Sequence, residues 1–300
     1  MRLQRIAEKY QKGSSPKQDE AFIRSDLIKM YRLEALKAAD PEEKKNLLEK
    51  SMEHARIGLE HFSTDPFILQ NAGETAFQQE AYEEASGYFK KILLDTYALD
   101  WSVRCQLKLG NFEQALEYAG RLMASDKLID KSHGLHYAAK AELGLGHAKK
   151  ALEYATRLKS ISPNDPRNLS NGAIIASLSM TDLERYDEAV QIAEDLSKSF
   201  LKKDQISARA VAAYARLKRY EKDHKAGDIE KAQERLEEIK LHLPETNPIV
   251  RSLKEAIDNV GDGKDSLKLS SFELQELISM PMDQHQKNRS TNNQPAGRGR

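Results

Sequence analysis

Two histidines have the spacing of metal ligands on a helix. His133 and His136 are three residues apart, so on a helix their side chains would share one face and could meet one metal ion. Zinc needs three or four ligands, and no third candidate stands near the pair in the sequence. We therefore predict no metal site.

The single cysteine is a candidate nucleophile. Cys105 follows Arg104, and a guanidinium that approached the sulfur would lower the pKa of the thiol. Adjacent residues on a helix diverge, however, and free cysteines are among the most buried side chains in proteins. We therefore favour a packed thiol. One cysteine forms no internal disulfide, which suits a reducing compartment.

The glycine-rich residues 261 to 266 have the composition of a phosphate-binding or calcium-binding loop. They lack the four-residue spacer and the preceding strand of a phosphate loop. As a calcium loop that starts at Asp258, the stretch has Val260 at a ligand position and Leu269 where a bidentate glutamate is required. Zinc-protease and serine-nucleophile motifs do not occur in the sequence either. We predict no catalytic residue, no cofactor and no enzyme activity.

One apolar pattern, complete in residues 82 to 92, returns along most of the chain. In each copy a hydrophobic residue precedes an alanine by three positions, and others follow it by four and seven. The six alanines are Ala55, Ala85, Ala115, Ala151, Ala189 and Ala232. All flanking positions are hydrophobic, although the overall share is only 39%. This regularity predicts six copies of one amphipathic helix.

The spacing of the alanines points to a repeat fold. They lie 30, 30, 36, 38 and 43 residues apart, close to the roughly 34 residues of a helix-turn-helix repeat. The best copy reads Leu69-x2-Ala72-Gly73-x2-Ala76, then Ala85-x3-Phe89, and the closing proline appears as Pro163 and Pro244. On these motifs, residues 40 to 244 resemble the tetratricopeptide-repeat (TPR) family. The resemblance implies an all-α, right-handed superhelical solenoid of antiparallel helix pairs.

Local signals indicate where helices begin and turn. An N-cap residue followed by proline occurs at Asp40-Pro41, Asp65-Pro66, Asp165-Pro166 and Asn247-Pro248. Glycines that favour a left-handed turn inside a pair are Gly110, Gly146 and Gly227, with Glu80 and Glu184 at the equivalent positions of two further copies. Ser270 and Glu273 have capping-box spacing and predict one last short helix.

These signals divide the chain into four predicted segments. Residues 1–39 form an N-terminal helical cap, and residues 40–260 form a TPR-like array, with about six helix pairs between residues 16 and 260. Residues 261–280 are a linker and a short helix with a partly amphipathic surface. Residues 281–300 are predicted to be a disordered polar tail, because their few apolar side chains cannot offset the entropy of ordering.

The candidate partner-binding residues follow from the resemblance. It implies that the first helices of successive pairs line a concave face that usually binds the ligand. The residues projected onto that face are Asn71, Glu74, Trp101, Arg104, His136, Tyr137 and Lys140. Aromatic anchors beside cations suit a protein or peptide segment with an acidic group. Alternatively, Trp101 and Tyr137 pack between helices, and Arg104 pairs with Glu74 or Asp100.

Several functions fit such a chain. The first is a non-catalytic interaction scaffold or adaptor. The second is a regulatory or sensor module for a catalytic or DNA-binding domain on a partner or a longer parent chain. Binding of RNA is third, since Lys plus Arg and Asp plus Glu are both 47 and leave no net charge, and an unrecognised enzyme is fourth. We expect a cytoplasmic protein without a membrane segment, because the first residues lack a signal-peptide core and no apolar run approaches about 18 residues.

Overall fold

The computed structural model describes residues 17–199, 201–261 and 268–279, and all regular secondary structure in those ranges is helical. The helices are α1 Lys17–Lys37, α2 Pro41–His61, α3 Pro66–Gln78, α4 Tyr82–Lys90, α5 Thr96–Lys108, α6 Phe112–Met123, α7 Leu128–Gly144, α8 Ala148–Ile161, α9 Pro166–Asp182, α10 Tyr186–Leu196, α11 Lys202–Asp223, α12 Asp228–Lys240, α13 Pro248–Gly261 and α14 Ser271–Ser279. The all-α prediction is confirmed. The predicted tail and the first 16 residues of the predicted cap lie outside the described ranges.

Helices α1 to α12 form six consecutive pairs, and the repeated alanines lie on the second helix of each. All six alanine side chains are completely buried. A methyl group at these positions lets the neighbouring helices approach closely, and the flanking apolar residues fill the space around the contact. The alanine pattern therefore identified the second helices correctly. The term first helices denotes α1, α3, α5, α7, α9, α11 and α13.

Side-chain caps start several helices as predicted. The Asp65 carboxylate accepts hydrogen bonds from the backbone N–H groups of Phe67 and Ile68 at the start of α3. Asp40 caps α2 and Asp165 caps α9 in the same way. These bonds satisfy N–H groups that have no partner within the helix. Each of the three caps is followed by the predicted proline at the first helical position.

The turns inside four pairs share one geometry. Glu80, Gly110, Gly146 and Glu184 have φ angles of 63°, 72°, 74° and 62°. In each turn the next residue donates a backbone hydrogen bond to the carbonyl five residues before it, which is the bond of a Schellman motif. The prediction for Gly227 was wrong in part: His224 ends α11 in the left-handed conformation, while Gly227 is the N-cap of α12.

The chain divides into two compact units, residues 1–137 and 138–300. The core of unit 1 is built around Phe89, with Met52 and Ile68 among its buried neighbours. The core of unit 2 contains Tyr214 and Leu253, and it extends from α7 to α14. The division falls within α7, after Tyr137, and separates Lys140 from the other six predicted site residues.

Candidate protein-binding faces of the two units

The first helices of unit 1 border an open cavity of about 770 Å³. Side chains of α1, α3 and α5 line it, and we call this surface the first-helix face of unit 1. Phe22 of α1, Phe67 of α3 and Tyr97 of α5 stand at the cavity with exposed fractions of 68%, 64% and 40%. Three exposed aromatic rings around one concavity are typical of a surface that binds another chain.

A buried polar network forms the floor of this cavity. The Arg32 guanidinium lies 2.5 Å from a Glu74 carboxylate oxygen and donates a hydrogen bond of 3.2 Å to the Asn71 side-chain oxygen. The amide of Asn71 donates in turn to the Ser25 hydroxyl and to a backbone carbonyl. Asn71 and Glu74, both predicted to contact a partner, are thus largely buried and already engaged inside the unit.

Tyr97 connects the floor to the rim. Its hydroxyl donates a hydrogen bond of 2.6 Å to Glu74. Partial burial and this carboxylate together raise the pKa of Tyr97 to about 12, so the phenol keeps its proton at neutral pH. The bond fixes the ring in its place at the cavity edge while 40% of the residue stays exposed. A ring held in this way loses little freedom when a ligand binds.

Trp101 is held between other aromatic and cationic groups. Its ring stacks on Phe89 with a centroid distance of 5.8 Å and meets the edge of Phe77 at 5.1 Å. The Arg104 guanidinium lies 4.8 Å from the centroid of the indole, a cation–π geometry. Trp101 is half-buried and contributes to the packing of unit 1, as the alternative interpretation of the sequence had it.

Arg104 and Tyr137 form one network with Asp100. Arg104 lies 2.8 Å from the Asp100 carboxylate and donates a bond of 2.8 Å to the Tyr137 hydroxyl. That hydroxyl donates to Asp100, whose carboxylate also meets His133 at 2.8 Å. Burial alone would raise the pKa of Asp100, but the bond with His133 and the Arg104 charge outweigh it and hold this pKa below 3.8. Of the two pairings left open for Arg104, the structure shows the one with Asp100.

The two histidines of the predicted pair make separate contacts. His133 is engaged with Asp100, and the half-buried His136 packs its ring 5.5 Å from that of Tyr137. Within the described ranges no group of three potential metal-ligating side chains occurs. Cys105 is fully buried, as predicted, and this burial raises the pKa of the thiol to about 12.

Lys140 has an acidic partner within unit 2. Its Nζ atom lies 2.5 Å from Oε1 of Glu276 on α14, and 3.5 Å from the Ser279 hydroxyl. The lysine is buried, and 16% of the Glu276 side chain is exposed. Both cations that were predicted to orient an acidic ligand therefore meet carboxylates of their own unit: Asp100 for Arg104, and Glu276 for Lys140. Binding of a partner by the seven predicted residues stays a prediction.

Helix α14 packs against the first helices of unit 2, which the sequence pattern did not reveal. Leu274 and Ile278 are buried in the core of that unit, and α14 contacts α9 and α13. The predicted capping box is present: the Ser270 hydroxyl accepts from the Glu273 backbone N–H, and the Glu273 carboxylate accepts from the Ser270 N–H. The helix was thus predicted correctly, and its burial was not.

Two polar contacts tie the start of α14 to its surroundings. The Ser271 hydroxyl donates a hydrogen bond of 2.6 Å to Asp182 of α9 and lies 3.3 Å from the Tyr214 hydroxyl of α11. Burial raises the pKa of Asp182, although the Ser271 bond acts in the opposite direction. Together with Lys140, these contacts place one side of α14 against α7, α9, α11 and α13. We call the surface that α7, α9, α11 and α13 present to α14 the first-helix face of unit 2.

Comparison with solved structures agrees with the helix-pair architecture. A tetratricopeptide repeat protein from Parabacteroides merdae ATCC 43184 superimposes with a TM-score of 0.62 at 13% identity, over 86% of this chain and 91% of that one. YrrB, a TPR protein with an unusual peptide-binding site, gives a TM-score of 0.40 at 20% identity over 52% and 84%. The TPR domain of P58(IPK) gives 0.37 at 16% over 87% and 75%.

The fold class follows from the first of these structures together with the helices of this chain. No protein-family model and no curated protein sequence matches the chain. The Parabacteroides structure, the six helix pairs and the buried alanines together show a TPR-like helical-repeat fold. At this level of identity the similarity extends to the fold and not to a function. Among the described helices, none is long and apolar enough to cross a membrane.

Proposed function

We propose that the chain is a non-catalytic scaffold or adaptor that binds a protein or peptide segment on the first-helix face of unit 1. The observation that carries this proposal is the cavity of about 770 Å³ with Phe22, Phe67 and Tyr97 exposed around it. Burying one large apolar side chain yields about 1.5–3 kcal/mol. Three such rings around a single concavity therefore offer enough apolar area to anchor a short segment.

The floor of the cavity supports this use because it is already ordered. Arg32, Asn71 and Glu74 satisfy one another's polar groups, so a ligand need not break their hydrogen bonds in order to bind. A preorganised surface loses less conformational entropy on association than a mobile one. The network also keeps α1 and α3 in register, and these helices carry Phe22 and Phe67.

The charges at the cavity are mixed, because Lys29 and Arg32 line it together with Asp26, Asp65 and Glu74, so the exposed apolar rings are what define the ligand. Lys29 is exposed and lines the cavity. Arg104 lies farther along the first helices, with 39% of its side chain exposed beyond its bond to Asp100. Cations at the rim of an interface mainly accelerate association and orient the ligand, whereas the buried rings provide most of the affinity.

A matched pair of variants tests this proposal. The chain and its Phe22→Ala/Phe67→Ala variant serve as bait in extracts of the source cell, and Leu94→Ala is the control, since Leu94 is fully exposed outside the cavity. We expect a specific protein that the wild type and Leu94→Ala retain and the double variant loses. With that protein purified, calorimetry should show an affinity loss of at least about 30-fold for the double variant, as for truncated hot-spot residues.

Two results would refute the proposed face. One is a partner that binds the double variant as tightly as the wild type while circular dichroism shows both to be folded. The other is equal loss of binding in the double variant and in Leu94→Ala, which would indicate nonspecific binding to exposed apolar side chains. Both mutated phenylalanines are largely exposed, so the variants should fold normally.

A further inference from the structure

We propose that the first-helix face of unit 2 is a second binding groove, specific for an amphipathic helix with one acidic residue, and that α14 fills it in the free chain. In place of α14, the groove binds a helix of another protein whose side chains have the same chemistry as those of α14. This proposal concerns unit 2 and does not depend on ligand binding to unit 1.

The position of α14 is that of a ligand rather than that of a repeat helix. In the repeats, the second helix of each pair lies against first helices through its buried alanine. Helix α14 instead lies across four first helices: it packs on α9 and α13, its Glu276 meets Lys140 of α7, and its Ser271 meets Asp182 of α9 and Tyr214 of α11. The nine residues of α14 therefore contact every first helix of unit 2.

The contacts of α14 specify the chemistry of the helix that fits. Leu274 and Ile278 are four residues apart, so they share one helix face, and both are buried. Glu276 supplies the carboxylate beside Lys140. A buried lysine that keeps its charge requires an anionic partner, so a competing helix must bring an acidic side chain to the same place. Ser271 adds a hydroxyl that donates to Asp182.

The repeat array is complete without α14. Helix α13 already packs the apolar residues Ile249, Val250 and Leu253 into the core and contacts both α11 and α12. The packing of α14 on α13 also leaves an open cavity of about 420 Å³, lined by Ser252 and Leu277 among others. An isolated helix of this length is unstable in water, so α14 depends on its contacts and can open locally.

A peptide binding experiment on the full chain tests the groove. The probe is a fluorescein-labelled synthetic peptide with the sequence of residues 268 to 279. The target is the chain with Leu274→Ala and Ile278→Ala, which removes the two buried anchors of the resident helix. We expect the probe to bind this variant at least about 10-fold more tightly than the wild type, because a tethered α14 competes at a millimolar effective concentration.

Charge reversal identifies the binding surface. Adding Lys140→Glu to the double variant should weaken binding of the probe, and a probe with Glu276→Lys should restore it. A probe with both aliphatic residues replaced by alanine is the negative control and should not bind. Equal affinity of the probe for wild type and double variant, or no binding to a folded double variant, would overturn the proposal. A wild-type dimer that the double variant loses would show instead that the occupant is α14 of a second copy.

Hydrogen exchange on the wild type provides a test that requires no variant to fold. We expect the amides of α14 to exchange by a local opening, faster than those in the centres of α9 and α11. Exchange of α14 only together with these two helices would show that it is an inseparable part of the core. In that case it does not vacate the groove, and the proposal is wrong.

Discussion

Glu80 occupies, in the turn between α3 and α4, the position that Gly110 occupies between α5 and α6. Their φ angles, 63° and 72°, are nearly the same, and both turns carry the same hydrogen bond from the following residue back to the first helix. Glycine adopts this left-handed conformation without steric cost, whereas a residue with a Cβ atom does not. The turn geometry is thus imposed by the helix pair and not by the residue.

Glu80→Gly should therefore stabilise the chain. Relief of the left-handed strain is worth about 1–2 kcal/mol, and the greater freedom of glycine in the unfolded state offsets about 0.5–1 kcal/mol of it. We expect a net gain of about 0.5–1 kcal/mol, measured as an upward shift of the thermal or urea midpoint. Glu80 is exposed, so no buried contact is lost.

Two substitutions at the same position serve as controls. Glu80→Asn should give a smaller gain, because asparagine tolerates the left-handed region better than most residues. Glu80→Val should lower the midpoint, because a β-branched side chain is the least compatible with positive φ. A midpoint for Glu80→Gly at or below that of the wild type would contradict the strain argument.

The parts of the fold that the sequence predicted correctly depend on local chemistry or on a strict pattern. Asp65 accepts hydrogen bonds from residues two and three positions later, so neighbouring residues alone are enough to predict the cap. Ala115 is completely buried because its helix repeats one packing arrangement, and six copies of the arrangement made the pattern visible. Glu80 was placed in its turn by alignment with Gly110, since its own residue type gives no turn signal.

The parts that were missed depend on contacts between distant residues. Arg32 pairs with Glu74 across 42 positions, and Glu276 pairs with Lys140 across 136. One sequence shows which residues carry opposite charges but not which of many possible pairs forms. The sequence indicated the amphipathic spacing of Leu274 and Ile278, but it did not indicate the surface that buries them. Asn71 is buried beside this unpredicted pair and accepts a hydrogen bond from Arg32.

Two glycines within unit 1 should respond in opposite ways to alanine. An added Cβ at Gly134 of α7 would lie 2.7 Å from the Ala119 carbonyl oxygen and 2.8 Å from the Met123 backbone nitrogen of α6, whereas at Gly120 it would meet no atom within 4 Å. We expect Gly134→Ala to cost about 1–3 kcal/mol by overpacking. Gly120→Ala should gain about 0.5–1 kcal/mol through helix propensity.

Urea unfolding of both variants beside the wild type measures this difference. The two glycines are matched in residue type and in the atoms added, so a change of opposite sign isolates the close approach of α7 to α6. If Gly134→Ala is as stable as Gly120→Ala, the helices are farther apart than the structure has them.

Cys105 should report the opening of unit 1. Its side chain is fully buried, and burial raises the pKa of the thiol to about 12, although Arg104 acts weakly in the opposite direction. At pH 8 the reactive thiolate should be at least about 1,000-fold rarer than in an exposed cysteine. We expect alkylation by iodoacetamide to be slow in the native chain and fast in urea, as followed by mass spectrometry.

The control for the alkylation is a chain with Cys105→Ala and Lys108→Cys. Residue 108 is on the same helix and is exposed, so its thiol should react rapidly under native conditions. Equal rates for Cys105 and for the cysteine introduced at 108 would show that the burial of Cys105 does not hold in solution.

The last prediction concerns the pH dependence that Asp100 gives to unit 1. His133 and Arg104 hold the pKa of this carboxyl below its ordinary value of 3.8 despite its burial. Because the unfolded chain then binds a proton more readily than the folded one, the contribution of Asp100 is complete above about pH 5 and is lost as the pH falls through the folded pKa.

Asp100→Asn removes this titration while leaving one acceptor oxygen for Tyr137 and Arg104. We expect the variant to be less stable at pH 7 by about 1.5–3 kcal/mol, the value of hydrogen bonds to a charged group. The deficit should shrink between pH 5 and pH 2, because protonation removes the same charge from the wild type. Thermal midpoints measured across this range check the prediction, with Asp126→Asn at an exposed position as the control that should run parallel to the wild type. A deficit that is constant with pH would show that Asp100 stabilises unit 1 through its shape and hydrogen bonds, and that its charge contributes nothing.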